Sequence, residues 1–391
     1  MSKLILSLLF IAGLNSYAQA AQPKTSSGDS GLITSGYLDT QMQWGHGTLD
    51  LNGQATTKMP GDATGFSLYQ GAVMLSDEFE KAELVIDIPF RQDSTPEVLN
   101  NGALTVASND LELGTKEAQA YVKYQYDMGL FWQIGQFDSA FGLEGNDSTD
   151  MVFSQFGILQ PFTPNTHTGL LVGYSFLPFY VNVIVGNGDS LGVQSNTQGP
   201  QIGARLGWSQ DPFQFSVGAL YTKSEGNYFL QGGETPSYKP NILLNAVFTA
   251  TIRKIDLGVE FDVAQSRMGK AQTISGSKDH EKVFGAMFQG TYSITEKLSA
   301  GVRYEYLKND ETNEYVQFAD AATNATAPTT KLTGQGGYIS KMSVGVRRVI
   351  NENLSAKAGA ELVNLNIGQD APAEGKTQTW TQGSVGAVYN F

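Results

Sequence analysis

His46, His167 and His280 are the only three histidines of the chain, and it has no cysteine. Acid–base or nucleophilic catalysis needs one of these rings beside a hydroxyl or carboxylate. Asp279 and His280 are adjacent, so on a strand they would point to opposite faces. His167 lies between Thr166 and Thr168 with no Ser or Asp next to it. There is no Cys/His cluster, no phosphate-cradling glycine loop and no G-x-S-x-G element. The run Asn146-Asp147-Ser148-Thr149-Asp150 offers oxygen ligands, but its spacing departs from calcium loops and reads as a solvated segment. The histidines read as polar surface or interior residues. The expectation is a chain that is not an enzyme, with no catalytic residue, no cofactor and no metal.

The remaining charged residues fall in a pattern. In segment 82–90, Ala82, Leu84, Ile86, Ile88 and Phe90 alternate with Glu83, Val85, Asp87 and Pro89. In 117–126, Ala118, Ala120, Val122, Tyr124 and Tyr126 alternate with Glu117, Gln119, Tyr121, Lys123 and Gln125. In 255–263 the polar set is Asp256, Gly258, Glu260 and Asp262; in 298–306 it is Ser299, Gly301, Arg303 and Glu305; in 354–362 it is Ser355, Lys357, Gly359 and Glu361. Strict period two over nine or ten residues is strand geometry with one apolar face. A cation on a lipid-facing strand position costs about 2–4 kcal/mol at the bilayer midplane, so charges confined to one face suit a membrane wall. Strands of soluble sandwiches alternate too but run shorter, about five or six residues.

These segments are joined unequally. Expected turns at 76–81, 127–129, 177–178, 210–212, 253–254, 294–297 and 350–353 are short. Connections at 45–65, 91–114, 138–166, 187–198, 223–239, 267–281, 308–336 and 367–378 are long. Short turns on one side and long loops on the other mark a transmembrane barrel. The fold class predicted is all-β: an antiparallel up-and-down transmembrane barrel of about sixteen strands over 32–391, with short periplasmic turns and long extracellular loops. Aromatic residues beside the short turns (Tyr126, Phe176, Phe179, Tyr292) and toward the long loops (Phe90, Tyr221, Tyr304) fit interface girdles.

The two ends agree. Lys3, the apolar run from Leu4 to Ala12 and Ala18-Gln19-Ala20 read as a signal peptide, residues 1–20, removed on export. Residues 21–31 are polar and read as a flexible periplasmic tail. At the other end Val385, Ala387, Tyr389 and Phe391 alternate on one strand face, and this pattern resembles the signal read by the barrel-insertion machinery. After the first 20 residues no apolar run approaches the 18 residues a membrane helix requires. The net charge of −13 argues against nucleic acid as a partner, because phosphates would be repelled. An exported chain without cysteine takes its stability from hydrogen-bonded sheet rather than disulfides.

Residues 135–209 carry a more specific likeness. Gly135-Gln136-Phe137, Phe141-Gly142-Leu143-Glu144, Asn165-Thr166-His167-Thr168-Gly169-Leu170, Tyr174-Ser175-Phe176 and Val185-Gly186-Asn187-Gly188 resemble the OmpL-like β-barrel porin-2 family. The resemblance implies an outer-membrane diffusion porin for small hydrophilic solutes, in contact with outer-membrane lipid, and allows a homotrimer. It further implies that the third long loop, 138–166, folds into the lumen and brings Asp138, Glu144, Asp147 and Asp150 to a constriction. The inward strand faces supply pore-lining candidates: Glu83, Asp87, Glu117, Lys123, Arg205, Glu260, Asp262, Arg303, Glu305, Lys341, Arg347, Lys357 and Glu361. Arg303, Lys341, Arg347 and Lys357 would form a basic wall facing the acidic loop, with a transverse field between them. The other reading is a non-conducting barrel whose long loops act as an adhesin or structural surface.

Overall fold

The structure is a computed structural model. It describes residues 32–46, 48–49, 57–58, 65–92, 111–113, 118–145, 147–149, 151–160, 163–164, 166–188, 200–225, 238–267, 280–309, 338–366 and 377–391. The expected signal peptide and tail lie outside these residues, as do Glu117 and Asp150.

Sixteen strands form the wall: β1 (Ile33–His46), β2 (Gly65–Phe79), β3 (Ala82–Gln92), β4 (Gln119–Gln125), β5 (Leu130–Asp138), β6 (Thr166–Phe176), β7 (Phe179–Gly188), β8 (Pro200–Gln210), β9 (Phe213–Glu225), β10 (Tyr238–Ile252), β11 (Ile255–Arg267), β12 (His280–Thr295), β13 (Leu298–Asn309), β14 (Tyr338–Val349), β15 (Leu354–Asn366) and β16 (Thr377–Asn390). Each pairs antiparallel with its neighbours in the chain. A short piece, Leu111–Leu113, pairs with the upper end of β3. Thr48–Leu49 and Thr57–Lys58 make a separate two-stranded ribbon.

Closure is made by β1, where Tyr37 lies opposite Ala72 of β2 and Asn390 of β16. The Phe391 amide donates to the Gly36 carbonyl at 2.9 Å, and the Gly36 amide donates back at 3.0 Å. A closed sheet satisfies every backbone group within the wall, which the hydrocarbon interior of a bilayer demands. The chain is thus a sixteen-stranded transmembrane up-and-down barrel.

The alternation sorts the two faces as the pattern requires. On β13, Val302 and Tyr304 point outward, 49% and 51% exposed, while Arg303 and Glu305 point inward and are buried. On β11, Phe261 points outward and Glu260 and Asp262 point inward. The expected rim aromatics Tyr126, Phe176, Phe179 and Tyr292 are exposed beside the short turns, as are Phe213, Tyr389 and Phe391. Those turns are tighter than the residue pattern suggested. The strands on either side of 80–81 and 296–297 run on to the turn itself, because a two-residue connection keeps the ladder paired to its end. Lys81 of one turn donates to Asp127 of the next at 2.7 Å, and that bond holds its ammonium pKa above the ordinary lysine value.

The inside of the barrel is less polar than the sequence suggested. Phe131, Phe137, Leu171, Ile184, Leu220 and Leu243 form an apolar cluster on the lumen side, and Phe141 of the third long loop completes it. Inward apolar side chains at these positions make a dry seat for that loop.

Candidate functional site: the inward loop and the lumen it leaves

Residues 139–165 connect β5 to β6, and their described part lies inside the barrel. From Ser139 the loop crosses the inner wall, making contacts with strands from β8 round to β2. Arg205 of β8 donates to the Ala140 carbonyl. The Leu143 amide donates to Glu260 of β11 at 3.0 Å. Glu144 pairs with Arg303 of β13, whose other guanidinium nitrogen donates to the Gln155 carbonyl at 2.9 Å. The Ile158 amide donates to Glu305 at 2.7 Å, and Lys341 of β14 donates to the Phe156 carbonyl at 2.9 Å. Lys357 of β15 donates to the Ser148 carbonyl and pairs with Asp39 of β1 at 3.2 Å. Gln41 of β1 donates to the Ser154 carbonyl at 2.7 Å, and Tyr37 donates to Asp147 at 2.9 Å.

A loop without a ladder of its own must find partners for its backbone groups once buried. Here the wall supplies them, and the loop answers with its own carboxylate and carbonyls. The fit is steric as well. A Cβ at Gly345 would stand 2.6 Å from the Val152 carbonyl, and one at Gly218 would stand 2.6 Å from the Phe141 ring. The bare backbone at these wall positions is what lets the loop lie against the sheet. On β2 the register shifts opposite Asp39 and Thr40, leaving Tyr69 as the extra residue of a bulge. Its hydroxyl accepts from the Phe156 amide at 3.0 Å, and its ring stacks on Phe156. Bulges re-aim side chains in this way.

Of the pore-lining candidates, Glu83, Asp87, Lys123, Arg205, Glu260, Asp262, Arg303, Glu305, Lys341, Arg347, Lys357 and Glu361 all lie on the inner face. The expected arrangement of the basic ones is corrected. Arg303, Lys341 and Lys357 are at most 1% exposed. Arg303 is surrounded by Glu144, Glu305 and Glu361, and Lys341 meets Glu361 at 2.8 Å. They do not face the loop across an open gap; they hold it by direct contact. Buried charges need counter-charges and hydrogen bonds, and here the wall carboxylates Glu305, Glu361 and Asp39 share that task with Glu144 and the carbonyls of the loop. Glu260 and Asp262 are tied by Asn245, which donates to them at 3.0 and 2.7 Å. Lys123 lies 3.7 Å from Glu83, and Gln119 donates to Asp87 at 3.5 Å. Of the constriction candidates, Asp138 ends β5, Glu144 is sealed against Arg303 and Asp147 is held by Tyr37.

One cluster was not legible in the sequence. The Ser139 hydroxyl lies 3.1 Å from Nε2 of His167, whose Nδ1 lies 2.6 Å from Gln201 Oε1, and Gln201 donates to Thr222 at 3.0 Å. Twenty-eight residues separate Ser139 from His167, and only the return of the chain through the loop brings them together. The Ser139 hydroxyl also accepts from the Phe141 amide at 3.1 Å, and His167 is fully buried against Phe137 and Phe141. The group anchors the first turn of the loop.

What the loop leaves is a recess on the β4–β10 side, about 1090 Å³ with its open mouth included. Its lining includes Lys123, Gln133, Asp138, Tyr180, Asn182 and Arg205.

A family profile described as "Putative beta-barrel porin-2, OmpL-like" matches residues 31–391. The chain belongs to this porin family. Its members are outer-membrane barrels, and the sixteen-strand wall with an inward loop is this porin's version of that architecture. Among solved structures it is similar to the outer-membrane channel DcaP of Acinetobacter baumannii, at 12% identity over 94% of this chain and 99% of that one, with a TM-score of 0.59. It is similar to the trimer form of OmpT of Vibrio cholerae, at 13% identity over 93% and 100%, with a TM-score of 0.53. It is also similar to Salmonella typhi OmpF in complex with daunomycin, at 14% identity over 93% and 98%, with a TM-score of 0.54. At such identities the likeness is one of fold. A comparison with curated proteins finds no match.

Proposed function

We propose that the protein is a passive diffusion porin of the outer membrane. Small hydrophilic solutes would cross through the part of the lumen left between the inward loop and the β4–β10 wall. The observation that carries this reading is the fastening of the loop. The buried Arg303–Glu144 ion pair and hydrogen bonds from Arg303, Lys341 and Lys357 to loop carbonyls hold it against one side of the barrel, while a polar recess remains open on the other. Sixteen-stranded barrels are wide enough to keep an aqueous channel beside such a loop.

The same reading includes export by the signal peptide at 1–20, recognition of the strand ending at Phe391 by the insertion machinery, and assembly as a homotrimer. The trimer form of the Vibrio cholerae relative supports the last point. The His167 cluster serves the loop rather than catalysis, and the protein acts without a cofactor. Single-channel recording of refolded protein in planar bilayers tests the proposal. Stable open steps that scale with salt are expected; a barrel that inserts but stays electrically silent would refute diffusion and favour a surface role for the long loops.

A further inference from the structure

The short turns of the barrel do not carry their charge evenly. Arg253 and Lys254 make the turn between β10 and β11, and Lys297 lies in the turn between β12 and β13. Arg348 is the last outward residue of β14, opposite Leu298 and Ala356. All four are exposed. The Ser293 amide donates to the Lys254 carbonyl at 2.8 Å, and the Val349 amide donates to the Lys297 carbonyl at 2.8 Å. The four cations therefore follow one another along a single arc of the periplasmic rim. Among the described residues they enter no ion pair and no side-chain hydrogen bond. The carboxylates on this arc are Glu296, Glu352 and Asp256, and the last faces the lumen and takes the Thr251 hydroxyl at 2.9 Å. On the turns from β2 to β9 the charged residues are Glu80, Lys81, Asp127 and Asp211, and Asp127 holds Lys81 at 2.7 Å.

Beside the arc the outward face is apolar. Ile252, Ile255, Tyr292, Ile294 and Ile350 are between 41% and 50% exposed. Long basic side chains at such a boundary lay their stems on hydrocarbon and send their heads to the phosphate level, where a tyrosine ring also sits. The same face has a hollow. Gly290 stands between Leu257 and Val302 in the sheet, and Ala300 stands between Tyr292 and Val346. A Cβ at Gly290 would meet only Leu257, at 3.5 Å, so no neighbouring side chain fills the surface there. Ala300 is one outward step along β13 from Leu298, the residue opposite Arg348. An acyl chain laid in the hollow would thus bring its phosphodiester to Arg348 and Lys297. A zwitterionic headgroup carries an ammonium that these cations repel; an anionic one does not.

We propose that this arc is a docking site for an anionic phospholipid of the periplasmic leaflet, with its phosphodiester on Lys297 and Arg348 and one acyl chain along Gly290 and Ala300. The site needs the membrane barrel but not conduction, so it stands or falls apart from the porin reading. The folded protein is released from nanodiscs of equimolar phosphatidylglycerol and phosphatidylcholine with identical chains, and native mass spectrometry counts the lipids it retains. Phosphatidylglycerol is expected to be retained in preference. Lys297→Gln combined with Arg348→Gln should lower that preference about tenfold. Lys81→Gln, on the far side of the rim, should leave it unchanged. Gly290→Leu fills the hollow without touching a charge, and should lower the retention of phosphatidylglycerol while all four cations remain. These exchanges are on the outer surface, so the gel mobility of the folded barrel should not change. Equal retention of the two lipids by the unaltered protein would overturn the site. So would a preference that Lys81→Gln lowers as far as the double variant does, or retention indifferent to Gly290→Leu.

Discussion

Arg303 on β13 and Glu144 in the inward loop form an ion pair across 159 positions of sequence, with the guanidinium side chain wholly unexposed and the carboxylate side chain 5% exposed. Glu305 and Glu361 crowd the same guanidinium. The asymmetry of this cluster gives the first prediction. Arg303→Met takes the cation from Glu144 and Glu305 and leaves Glu361 with Lys341 alone, and should destabilise the barrel by about 3–5 kcal/mol. Glu144→Gln leaves Arg303 two counter-ions and an amide in place of the third, so it should cost well under half as much. Urea unfolding of folded protein in lipid vesicles measures both; equal losses would show that the cluster does not hold the loop.

Gly345 is the second test of the loop's seat. Gly345→Val would push side-chain carbon into the Val152–Phe153 backbone, and overpacking of this kind costs about 1–3 kcal/mol. The loop, being the less constrained partner, should be displaced, and single-channel conductance should rise. Val344→Leu, on the outward face one residue away, should change neither quantity. A Gly345→Val pore with wild-type conductance would mean that the loop does not define the narrow section.

The sequence and the structure part company at the loop, for a physical reason. Leu84, Ile86 and Ile88 against Val85 and Asp87 could be read at once, because a pleated strand sends alternate residues to opposite faces and lipid penalises charge on one of them. The inward direction of Arg303, Lys341 and Lys357 followed from the same rule. Their partners did not. Glu144, Phe156 and Ser148 lie in a segment with no period, so nothing local says which wall residue each will meet. The same gap hid the contact of Ser139 with His167 and turned an expected field across water into direct ion pairing. Phe131 and Phe137 were also unforeseen as lumen residues, since their strand pattern does not reveal that an apolar loop residue, Phe141, would cover them.

The two faces of the wall should respond unequally to an added positive charge. Val302 lies near the middle of β13 on the lipid side, and Val302→Arg should cost about 2–4 kcal/mol if that position is at the bilayer midplane. Thr249→Lys, on the inner face of β10 beside the recess and opposed by the uncharged Gln214 and Gly258, should be close to neutral because water remains within reach. Reversible unfolding into and out of lipid vesicles compares the two. Similar costs at both positions would contradict the assignment of faces.

Whether the inward loop is a fixed constriction or a lid can be decided by tethering it. The hydroxyls of Ser154 in the loop and Ser384 on β16 are in contact, and the chain has no cysteine to compete. Replacing both with cysteine should allow one bridge to form on oxidation, seen as a shift in gel mobility that reductant reverses. The loop is held by Arg303, Lys341, Lys357 and Gln41 from separate strands, so several buried contacts would have to break together for it to swing away. A fixed constriction is therefore expected, and the oxidised double variant should conduct as the reduced one does. If oxidation closes the channel and reduction reopens it, the loop must leave the wall for solutes to pass, and the arrangement described here is the closed state of a gate.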